Sequence, residues 1–127
     1  MRIAAFLIAL GSLGCGLTGP SGDLSGRWVA NSGGRFAFVE MTLQQSDDEI
    51  TGTACANSDG VLLYRGAPVN GDFPDLQFTV AGSQTQPCCG VLAGAAFRGR
   101  QDSSKDIVGT YRGVEIRFKR AEFSICN

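Results

Sequence analysis

Along most of this chain apolar and polar residues alternate in short runs separated by turn-forming residues. The alternation is cleanest at residues 76–80, Leu-Gln-Phe-Thr-Val, and at 114–119, where Val114, Ile116 and Phe118 interleave with Glu115, Arg117 and Lys119. Side chains two positions apart share one face of a strand, so each run offers one face to a core and one to water. Further strands are predicted over residues 24–30, 36–44, 50–56, 61–64, 91–100 and 106–112, with a bend near Gly66 and Pro68. In 36–44 the phase is mixed: Phe36 and Phe38 fall on one face, Ala37, Val39, Met41 and Leu43 on the other. That pattern predicts either a bulge or a strand covered on both sides.

The turns carry their own chemistry. Asn57-Ser58-Asp59-Gly60 is a strong hairpin signal, since Asp-Gly suits the primed turns that match strand twist. Ser46-Asp47-Asp48-Glu49 reads as a solvated hairpin tip rather than a cation site. No segment keeps a helical period for three turns. About eight strands joined mostly by short hairpins predict an all-β fold, a small antiparallel up-and-down β-barrel, with a β-sandwich as the alternative. The glycine- and alanine-rich stretch 91–100 predicts close approach by another backbone or a ligand.

Composition narrows the function classes. At 127 residues, 43% hydrophobic and 18% charged, the chain is one globular domain, and its formal charge of −1 gives no basic footprint for nucleic acid. There is no histidine, which removes the commonest general base and the commonest metal ligand. No serine has a base beside it and no carboxylate pair has a cleft to itself, so neither an enzyme, a cofactor nor a metal is expected.

Residues 1–10 combine Arg2 with an apolar run too short to span a bilayer, the pattern of an export signal. The run ends in Gly11-Ser12-Leu13-Gly14-Cys15, which resembles the lipobox of bacterial lipoproteins. The resemblance implies a signal peptide over 1–14, a lipidated Cys15, a flexible tether over 15–23 and a barrel domain over 24–127. It places the protein in the bacterial cell envelope, held to the membrane by its N-terminal lipid. Gly16 after the cysteine leans towards the outer membrane where the source has two.

Five cysteines is an odd number for an exported chain; lipidation of Cys15 leaves four, enough for two disulfides. Bridging the adjacent Cys88 and Cys89 to each other would need a small, strained ring. The expectation is therefore that one of them reaches Cys55 and the other Cys126. With no C-x-x-C pair, stapling is preferred to a redox or metal site.

Leu24-Ser25-Gly26-Arg27-Trp28, then Phe36, then Ile50-Thr51-Gly52-Thr53 resemble the opening of avidin-type barrels and, more loosely, the Gly-x-Trp signature of lipocalins. The resemblance implies that Trp28 packs across the closed end of the barrel. It does not carry biotin binding, because Ala30 and Gly34 stand where avidins have their asparagine and serine, and Trp28 is the only tryptophan.

Phe78, Phe97 and Phe118 are candidates for lining a pocket, with a packed core preferred. Arg98, Arg100, Arg112, Arg117, Lys119 and Arg120, interspersed with Asp102, Asp106 and Glu115, read as a mixed-charge surface. The expected function is that of a lipid-anchored, monomeric, non-enzymatic binding module for a small apolar molecule or an envelope protein. The alternatives are an inhibitor that plugs a lysozyme or protease through residues 84–90, and a passive structural lipoprotein.

Overall fold

The computed structural model describes residues 22–126. The proposed signal peptide, Cys15 and nearly all of the tether lie outside them. Eight antiparallel strands close into one barrel: β1 Gly26–Asn31, β2 Ala37–Ser46, β3 Glu49–Ser58, β4 Val61–Asp72, β5 Asp75–Thr79, β6 Ala96–Gln101, β7 Ile107–Tyr111 and β8 Val114–Arg120. Each strand pairs with its neighbour in sequence, and β8 returns to β1 through Trp28 opposite Arg120 and Val29 opposite Lys119. Closure leaves no free edge in the sheet. Among the described residues no helix is long and apolar enough to cross a membrane.

The two ends of the barrel differ. The lower end holds the entry to β1, the β2–β3, β4–β5 and β6–β7 turns, and the start of the tail after β8. The upper end holds the β1–β2, β3–β4 and β7–β8 turns and the one long connection, between β5 and β6, which contains two 3-10 segments, Gly82–Gln84 and Pro87–Leu92. The predicted strand over 91–100 thus begins later, at Ala96, because Val91 and Leu92 end the second 3-10 segment.

Inward-facing residues make a continuous core from Trp28, Val39, Met41, Leu43, Ile50, Val69, Leu76, Phe78, Phe97, Ile107, Ile116 and Phe118. Gly99 and Gly109 face each other across β6 and β7. A Cβ on Gly99 would sit 2.6 Å from the Phe97 ring, so the close approach expected in this stretch is made by backbone and Phe97. Strand β4 runs unbroken past Gly66 and Pro68, and the bend is a register shift against Ala54 and Ala56, with Gly66 at φ +77°.

The mixed phase of β2 has a local cause: its outer face is covered around Phe38 and Glu40, while Thr42 and Gln44 on the same face stay exposed and Phe36 lies before the strand. On the outer face Glu40 is 5% exposed, because the tail after β8 runs up the outside of the barrel. The amide of Ala121 donates to the Arg27 carbonyl, and that of Ile125 donates to Glu40 Oε1 at 2.7 Å. Arg65 on β4 donates to the Cys126 carbonyl at 3.0 Å.

The tail decides the disulfides, and here the structure corrects the expected pairing. Cys55 bonds Cys126, and Cys88 bonds its neighbour Cys89. Cys55 sits on the outer face of β3, opposite Glu40 in register, where the tail delivers Cys126. Cys89 instead faces the core at the upper end, so it cannot also reach a sulfur on the outer face.

Candidate functional site

The lower end is sealed by Trp28, 1% exposed. Its indole N–H donates to the Leu24 carbonyl at 2.8 Å, and the Arg120 guanidinium covers its ring. Arg120 also donates to the carbonyls of Ser25 and Asp23, closing the entry to β1 over the tryptophan.

Above Trp28 the lumen is filled. Phe78 stacks on Phe97 at 5.8 Å, and Phe97 meets Phe118 edge-on at 5.0 Å, within the usual range for aromatic pairs. The three candidate pocket residues are thus core, each 2% exposed or less. Beside them Tyr111, opposite Phe97 in register, and Tyr64 share a buried hydrogen bond of 2.7 Å between their hydroxyls. Burial pushes both phenols up in pKa, and the neighbouring Tyr111 charge and the shared bond raise Tyr64 further. The positive charge of Arg112 acts on both in the opposite direction. Sequence reasoning missed this pair because each tyrosine, taken alone, looks like any other strand aromatic.

The upper end is open on one side. The long β5–β6 connection folds over β4 and β5: Gln86 donates its amide to the Leu63 carbonyl and Thr85 bridges to Tyr64. Leu92 and Cys89 point from it into the core as a partial lid. Beside the lid lies a cleft of about 420 Å³, lined by Ser32 and Gly34 of the first turn, Ala37 of β2, Ala56 and Ser58 of β3, Leu63 of β4, Leu92 of the lid, and Tyr111, Arg112 and Val114 of the last hairpin. Residues from both sides of the barrel meet there, which makes the cleft its mouth, with Tyr111 on the floor. Its volume lies in the range of small-molecule sites, roughly 300–1,000 Å³.

The rim is apolar and basic. Phe36, Val61, Val91 and Val114, four of the large exposed apolar side chains, all stand at this end, and Val91 is 87% exposed. Arg35 lies over the Phe36 ring. The cationic cluster read from the sequence separates here. Arg117 and Lys119 pair with Asp102 and Asp106, Arg100 with Asp75, and Arg120 covers Trp28. Arg98 and Arg112 have no ion-pair partner among the described residues. Both line a second groove, of about 550 Å³, on the outer face of β5 to β7, so Arg112 stands on the crest between that groove and the mouth.

On the outer face under the tail, Glu40 lies within ligating distance of the Cys55 and Cys126 sulfurs. Its oxygens are already engaged by Ile125, Ser124 and Arg27, and the sulfurs are joined to each other. The arrangement is a clamp for the tail. Compared with protein-family models, with curated proteins and with solved structures, the chain matches none, so what it does has to be argued from this geometry.

Proposed function

We propose that this protein is an exported, lipid-anchored, non-enzymatic binding module of the bacterial cell envelope that works from the mouth of its barrel. The observation that supports the reading is the contrast between a lumen filled by Phe78, Phe97 and Phe118 and an open cleft at one end, lined from both sides of the barrel. The tether leads into the lower end, where Asp23 precedes β1. An anchor on Cys15 would therefore hold the lower end nearest the bilayer and leave the mouth free to meet a ligand.

Two measurements test the two halves. Labelled fatty acid should enter the wild-type protein in its own host and not Cys15→Ser. Native mass spectrometry of the oxidised protein from that host should show a bound small molecule that Leu92→Glu loses. An adduct that survives Leu92→Glu would move binding away from the mouth.

A second reading has an observation of its own. Val91, exposed on a connection anchored by Gln86 and by the inward-facing Cys89, is shaped like a protruding plug. That favours an inhibitor of a lysozyme or protease acting through residues 84–90, with Val91 directly after them. Wild type should then inhibit one member of such an enzyme panel and Val91→Asp should not.

A further inference from the structure

The mouth is not merely apolar. Its walls are Leu63, Leu92 and Val114, and one cation, Arg112, lines it without an ion-pair partner among the described residues. Arg112 sits in the tight β7–β8 turn at φ +52° and is exposed, so its guanidinium is presented by a short hairpin rather than a mobile loop. Arg98 lines the adjoining outer groove together with Arg112 and reinforces the positive field.

Charge is also divided between the ends of the barrel. At the lower end Asp102 and Asp106 are matched by Arg117 and Lys119, which leaves Asp23, Asp47, Asp48 and Glu122 against Lys105 in the turns and flanking segments, whereas the upper connections carry Arg35 and Arg112 against Asp59. A small anion is repelled at the sealed end and drawn to the open one.

We propose that the mouth binds a single-chain amphipathic anion, its apolar chain between Leu63, Leu92 and Val114 and its carboxylate or phosphate headgroup on Arg112. This rests on the mouth being the binding end and adds the class of ligand. A planar guanidinium offers paired N–H donors that match either headgroup. An uncharged chain of the same length gains the apolar contacts alone. The positive field of Arg112 already reaches the floor, where it acts on the Tyr64 and Tyr111 phenols.

The test is a calorimetric titration of the full chain carrying Cys15→Ser, kept oxidised, with decanoate, decyl phosphate and decanol. Either or both anions should bind at least about tenfold more tightly than decanol, the worth of one charge-assisted hydrogen bond. Arg112→Gln should bring each anion that binds down to the affinity of decanol and leave decanol unchanged, while Val114→Glu should weaken the anions more than decanol. The ratio between decanoate and decyl phosphate names the headgroup. If decanol binds as tightly as both anions, Arg112→Gln changes nothing and Val114→Glu weakens all three, the anion preference is wrong while the mouth remains the binding end; if Val114→Glu changes nothing either, the mouth reading falls too. If none of the three binds, the mouth reading falls and this inference with it. Near-ultraviolet circular dichroism shows that each variant keeps its fold.

Discussion

The guanidinium carbon of Arg120 lies 4.5 Å from the centroid of the Trp28 ring. The last strand thus closes the barrel by laying a cation on the side chain that plugs the first. Trp28→Ala should cost about 3–5 kcal/mol, since it opens a cavity at the sealed end. Arg120→Met, which keeps an aliphatic cover but loses the cation and its bonds to Ser25 and Asp23, should cost about 1 kcal/mol. Urea midpoints followed by far-ultraviolet circular dichroism measure both.

The two disulfides should contribute very unequally. Cys55 and Cys126 are 71 residues apart, so their bond restrains much of the unfolded chain, by roughly 4 kcal/mol in the chain-entropy account. Cys88 and Cys89 are adjacent and close no such loop. The pair Cys55→Ser and Cys126→Ser should lower the denaturation midpoint sharply, whereas Cys88→Ser with Cys89→Ser should shift stability by less than about 1 kcal/mol. Equal losses would contradict the pairing itself.

Glu40 is the acceptor that holds the tail against β2. Glu40→Ala leaves the Ile125 amide without its acceptor and the half-buried Arg27 with only its bond to the Glu122 carbonyl, and should cost about 2–3 kcal/mol. Glu40→Gln keeps one acceptor oxygen and should cost less. Carboxypeptidase digestion of the variants should reach further into the tail of Glu40→Ala than into wild type.

At the lower end, Asp102 is held below the usual carboxylate range by its Ser104 bond and by Arg117, and Asp106 by Lys119 and Arg117. Carboxyls whose pKa falls on folding stabilise the folded state above the ordinary carboxyl pKa of 3.8, and that contribution is lost as pH falls through the folded values. Stability should therefore decline as pH drops below about 4, and more shallowly in Asp106→Asn. Raising the salt concentration should narrow the difference, because these pairs are exposed to solvent.

The strands and their number were legible because each depends on a local pattern: period-two alternation and turn residues. The disulfide pairing was not, because it depends on the path of the tail, which sequence periodicity does not encode. Glu40 is the residue that records that path. It occupies an outward position on a strand whose phase looked mixed, and a carboxylate there reads as surface until a tail is known to cover it. The cationic cluster shows the same limit. Arg112 and Arg117 look alike in sequence, and only the closed sheet pairs Arg117 with Asp102 and Asp106 while leaving Arg112 at the mouth.

The central claim, that the barrel binds at its mouth and not in its lumen, is tested most directly by mapping amide chemical shifts during a decanoate titration of the oxidised Cys15→Ser chain. Binding at the mouth predicts shifts confined to the upper end, at Ser32, Ala56, Leu63, Leu92, Arg112 and Val114. Shifts centred on Leu43, Ile107 and Phe118 would place the ligand in the lumen, shifts centred on Asp47 and Lys105 would place it at the sealed end, and either result would rule out binding at the mouth.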